Sequence, residues 1–288
     1  MTSCGFRQLG EVTEDSFMVV PKPTLFIAAA IATLVAYLGP RLAKPSTETI
    51  KPEMITLRAG QITYPPAGDF TRSGNPINTP LKTVHFARGL QIMKHQVTQA
   101  EYWKCVEDQG CPSAVLHGLS SPDAPVVGVS WRDAEAYAIW YSGKATRRYR
   151  LPTDEEWAFA AGSQFRNEGW PDVNSSDPAQ RWLARYESEF ADDSIDNVPR
   201  PTGSFGANEN GLLDIAGNVW EWTDSCFVRI GIRDSGEQTI TSTNCGVRVV
   251  EGRHRTYVTD FIRDARLGGC AVGKPPANLG FRLVRAIE

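Results

Sequence analysis

The chain has 288 residues, and its 33 acidic and 30 basic side chains leave a formal net charge of −3. So balanced a charge excludes a bulk electrostatic grip on nucleic acid. A hydrophobic fraction of 41% excludes wholesale disorder, while 25 Gly, 19 Pro and eight Trp point to a loop-rich domain with aromatic anchors, not a helical bundle.

Residues 1–23 form a polar tail in which Met18 offers a second start. Residues 25–38 then read LFIAAAIATLVAYL, without a charge. As a helix this run spans roughly 21 Å. With its flanks, residues 24–40, it reaches the short end of a membrane span. A signal-peptide core lacks small residues at a cleavage site here, and a buried helix would need a polar face. A single-pass transmembrane helix is therefore the expectation. Lys22 before it and Arg41 and Lys44 after it give no orientation from charge. Residues 41–53, with Pro45 and Pro52, read as a linker, and residues 54–288 as the soluble body.

In the body, residues 55–64 alternate weakly and break at Gly60, which predicts a short strand or hairpin. Residues 65–80 read as a loop, and residues 84–86 and 90–93 as strands. Thr98 with Glu101, and Thr153 with Glu156, form capping boxes that start two helices; Ser130, with Asp133 at the third helical position, starts another between them. After Gly162, regular patterning is lost for about 40 residues, a length that inside a compact domain is usually functional.

Cys4 precedes the apolar run, and Cys105, Cys111, Cys226, Cys245 and Cys270 follow it. None has the spacing of a zinc set. Cys105 and Cys111 flank the stretch CVEDQGC, whose Gln109-Gly110 can turn. A small disulfide loop is expected there, with two reduced thiols as the alternative. Disulfides belong outside the cytoplasm, so the body is expected to be extracytoplasmic, in the periplasm if the source is bacterial. No Gly-rich phosphate loop, HExxH or GxSxG occurs, and no basic-aromatic stripe suggests RNA.

Four motifs follow in order: PVVGVSWRDAEAY from Pro125, RLPTDEEW from Arg150, GLLDIAGNVWEWT from Gly211 and NLGFR from Asn278. In this order they resemble the formylglycine-generating enzyme (sulfatase-modifying factor) family, over residues 54–285. The resemblance implies an α+β, C-type-lectin-like fold, poor in regular secondary structure. In GNVWEW the two Trp share one face of an extended strand and Glu221 points the other way. The resemblance implies a structural calcium ion held in part by Asn218 and Glu221, oxygen donors beside a Gly turn. A Glu221 bonded to loop amides is the alternative. Asp192, Asp193 and Asp196 lie where the family has its other calcium site. The insertion at residues 227–244 is rich in Gly, Ser and Thr, with little apolar content to fold by itself. The resemblance implies that Cys226 and Cys245 bridge its ends and leave Cys270 free; Cys245 with Cys270 is the competing pairing.

The family oxidises a substrate cysteine with molecular oxygen, using copper(I) held by two cysteines shortly before the closing GFR. Soft thiolates select that ion. The corresponding window, residues 252–264, contains no cysteine, and VVEGRH stands where the family has RGGSW. A sister branch uses iron and a histidine cluster, whereas His85, His95, His117 and His254 are scattered. Copper and iron are therefore not expected, and no catalytic residue is assigned. Arg253, His254 and Arg255 occupy the family's active-site loop. They form either a cluster that receives an anion or a solvated loop balanced by Glu251, Asp260 and Asp264. The expectation is a membrane-anchored binding module for a peptide, protein or glycan. The alternative is an oxidoreductase that modifies a protein or thiol substrate.

Overall fold

The computed structural model describes residues 52–115, 121–145, 147–166, 180, 198–264 and 278–285. In chain order its strands are β1 (Met54–Leu57), β2 (Gly60–Tyr64), β3 (Asp69–Arg72), β4 (Asn75–Pro76), β5 (Lys82–Phe86), β6 (Leu90–Met93), β7 (Tyr149–Arg150), β8 (Trp220–Ile232), β9 (Gln238–Glu251), β10 (Thr256–Thr259), β11 (Leu279–Gly280) and β12 (Val284–Arg285). The helices are α1 (Gln99–Glu107), α2 (Trp131–Lys144) and α3 (Asp154–Ala161).

All three helices start on side-chain caps. Thr98, Ser130 and Thr153 each accept from the third helical amide, and Glu101, Asp133 and Glu156 reach back to the cap amide. Two otherwise unpaired amides are thereby satisfied at each end. Gly162, at φ 56°, ends α3 in a backbone conformation that disfavours a side chain.

The sheets join distant parts of the chain. One has the order β1-β6-β12-β7, so the closing strand lies between β6 and β7. A second pairs β2 with β5. The largest runs β10-β9-β8-β3-β4, with β11 parallel to the start of β8. The short strand or hairpin expected at residues 55–64 is two short strands that do not pair with each other: β1 pairs with β6 and β2 with β5. The expected loop at residues 65–80 contains β3, which pairs in parallel with the far end of β8. The insertion is an antiparallel ribbon made by β8 and β9.

Two buried clusters hold these layers. One gathers Tyr102, Tyr137, Trp222 and Phe281 where α1 and α2 meet the largest sheet. The other surrounds Trp157 of α3 with Ile92, Leu212 and Val284. Disulfides join Cys105 to Cys111 and Cys226 to Cys245. The apolar run at residues 24–40 lies outside the described residues; among those described, no helix is long and apolar enough to cross a membrane.

Candidate functional site

The alternation of β8 places Cys226, Val228 and Ile230 on one face of the ribbon. Phe70 of β3 and Ile240 of β9 share that face. Opposite them stand Leu81, at the entry to β5, and Asp154 and Glu155, at the start of α3; together these enclose a cleft of about 740 Å³. Its polar side chains other than Gln238 are already engaged. The Asp154 amide donates to Ser225 Oγ, and Lys82 is paired with Glu155.

Asp154 belongs to a buried network beneath the cleft. Its Oδ2 accepts from Tyr64 Oη at 2.8 Å and from the Ala67 amide at 3.1 Å. Its Oδ1 accepts from Arg255 Nη2 at 2.8 Å, while Arg255 Nε donates to Glu251 Oε1 at 2.6 Å. Two carboxyls thus share one guanidinium. Glu251 is fully buried and its Oε2 has no hydrogen-bond partner. Burial, reinforced by Asp154 against the opposing pull of Arg255, raises its pKa well above the ordinary carboxyl range. Burial works against the Arg255 charge, but Glu251 and Asp154 outweigh it and hold the guanidinium ionised.

The expected cluster at residues 253–255 does not assemble. Arg255 turns inward to Glu251 and Asp154, and His254 stacks edge-on against Trp220, with ring centroids 5.4 Å apart. Arg253 alone of the three stays exposed. Nor is the loop merely solvated: its distal part is tied to α2, with Asp260 taken by Arg132 and Arg263 by Asp133.

Glu221 sits on the side of β8 opposite the two Trp, as the alternation predicts. Its Oε1 accepts from Gln96 and Arg282, and its Oε2 from Trp157 and Arg282, at 2.7 to 2.9 Å. Those four bonds fill the lone-pair positions of a carboxylate. The guanidinium of Arg282, itself fully buried, supplies the counter-charge. Asn218 is in the left-handed region at φ 64°, which Asn tolerates. Its amide accepts from and donates to the Arg200 backbone, pinning that segment to the turn. The two side chains expected to hold calcium therefore face different protein partners. Asp192, Asp193 and Asp196 lie outside the described residues. Sequence reading missed the network of Tyr64, Asp154, Glu251 and Arg255; the acid-and-base alternation in EGRHR was its one signal.

A family profile described as the sulfatase-modifying factor enzyme 1-like domain matches residues 40–287. The chain belongs to this family. It is 33% identical over 209 residues to a formylglycine-generating enzyme of Bos taurus, covering 66% of this chain and 52% of that protein. It is 41% identical over 107 residues to an inactive C-alpha-formylglycine-generating enzyme 2 of the same organism, covering 36% and 33%. The chain thus spans about half, or less, of the length of these relatives. The solved structure of PvdO from Pseudomonas aeruginosa superposes with a TM-score of 0.54 at 22% identity, covering 83% of this chain and 97% of that one. That likeness bears on the fold alone.

Proposed function

We propose that this protein is a membrane-anchored, extracytoplasmic binding module on the sulfatase-modifying scaffold, without copper oxidase activity. The observation that carries this reading is the state of the cysteines. Four of the five that follow the apolar run are joined in disulfides, and the sequence of the domain holds one further cysteine, Cys270. A copper(I) site built from two thiolates needs a second. The match to relatives named as inactive supports the same reading. The disulfides also favour an oxidising compartment.

The cleft beside β8 is the proposed ligand site. Its apolar face and its engaged polar groups suit a protein segment that offers an apolar side chain. A glycan would need free donors and acceptors for its hydroxyls. The metal reading is tested by titrating the full chain, isolated in mild detergent without reductant, against a chromophoric copper(I) chelator. The chelator is expected to keep its metal; stoichiometric withdrawal of copper(I) would contradict the reading.

A further inference from the structure

The two disulfides differ in access. Cys105 and Cys111 are both buried, whereas Cys245 is exposed and Cys226 is half-buried. A dithiol in solution can reach the second bridge in the folded domain, and the first only once the domain opens.

The accessible bridge sits where the ribbon is least bonded. Phe227 to Ile232 of β8 pair with Asn244 to Gln238 of β9. The next pair toward the body is Cys226 with Arg248, so Cys245, Gly246 and Val247 have no partner on β8. The pair after that is Trp222 with Val250, which leaves residues 223–225 outside the ladder. Pairing is thus interrupted on both sides of Cys226, and the disulfide crosses the interruption. Beyond it, β8 is held a second time, by β3. The outer strand has no such support. Among the described residues no strand pairs with the free edge of residues 238–244, which are all exposed. A polar strand bonded along one edge holds its place weakly. The cleft depends on it, because Gln238 and Ile240 line the ribbon side beside Cys226, Val228 and Ile230.

We infer that the Cys226–Cys245 disulfide is a redox switch for the cleft, an inference that rests on the cleft being the ligand site. Closed, the bridge holds the outer strand against β8 and keeps Ile240 in the wall. Opened, it lets that strand part from β8, base first, and the wall loses Ile240. The reductant is a dithiol. One of its thiolates attacks Cys245 Sγ, on the exposed side; the S–S bond breaks, and Cys226 leaves as a thiolate that takes up a proton. The second thiol of the reductant then attacks the mixed disulfide and releases Cys245. Two electrons and two protons pass to the bridge, and the reductant departs as a disulfide.

The full chain in mild detergent tests this, titrated with graded ratios of reduced to oxidised dithiothreitol. Free thiols are alkylated and mapped by mass spectrometry, and amide exchange is followed at each ratio. Cys226 and Cys245 are expected to be alkylated together while the Cys105–Cys111 bridge stays closed. Those amides of residues 238–244 that bond to β8 should then exchange at least about tenfold faster, those of α2 should not change, and reoxidation should restore the protection. N-acetyl-leucine amide, as a small apolar probe, should slow exchange around Val228 in the closed form and not in the open one. Cys226→Ser combined with Cys245→Ser should match the reduced form at every ratio. The inference is overturned if both disulfides open together, if the ribbon keeps its protection after reduction, or if α2 loses protection with it, which would make the bridge a structural tie only. A probe that does not bind the closed form would count against the cleft as a ligand site, while the exchange data would still decide the switch.

Discussion

A carboxyl sealed beneath the cleft makes stability depend on pH in a definite direction. Folded Glu251 holds its proton more tightly than the unfolded chain, where a Glu titrates near 4.3. Above that pH the unfolded state has released its proton and the folded state has not. Stability therefore falls as pH rises, by about 1.4 kcal/mol per unit, until Glu251 ionises in place. Glu251→Gln should remove this decline. Unfolding free energies of both proteins between about pH 5 and 8 would show it, and parallel curves would contradict it. Glu221 and Arg282 form a fully buried pair, so removing either partner leaves the other without its counter-group. Arg282→Met is expected to cost about 3–5 kcal/mol by denaturant titration. A calcium chelator should leave the melting temperature of the unmodified protein where it was. A fall on chelation, reversed by calcium, would place a structural ion in this protein after all.

Among the elements, the ribbon depends most on a covalent tie. Its outer strand carries little apolar surface and nine of the β9 residues face solvent, so the Cys226–Cys245 bridge, spanning 19 residues, holds its ends together. Replacing both cysteines with Ala should lower stability by about 3 kcal/mol and raise exchange in β8 and β9 before the rest of the domain. An unchanged unfolding midpoint would show that β-pairing suffices. The helices were legible in the sequence because a cap and its partner lie three residues apart, as with Thr153 and Glu156. The ribbon was not: a Thr- and Ser-rich strand shows no apolar alternation, and its pairing is not written locally. β3 was hidden for the same reason, since its partner residues begin at Arg229, far along the chain. Arg255 read as a loop cation because Asp154, which draws it inward, lies 101 residues earlier.

At the scale of the whole molecule, the family's scaffold is present and its motifs hold it together. GNVWEW and GFR meet as Glu221 and Arg282, a structural pair at the centre of the fold. LPTDEEW supplies both the cap of α3 and the Asp154 that anchors Arg255. The loop at residues 252–264 is fastened to α2 through Asp133 and Asp260, and it presents no soft ligand. These motifs therefore serve the architecture whether or not oxidation takes place, which is how a binding module can keep a family's signature. The question is decided by incubating the purified full chain, loaded with copper in air, with a Cys-x-Pro-x-Arg peptide and weighing the peptide by mass spectrometry. The peptide is expected to return unchanged. Appearance of the aldehyde mass, abolished by Cys270→Ala, would contradict the proposed function and make that thiol part of an oxidase site.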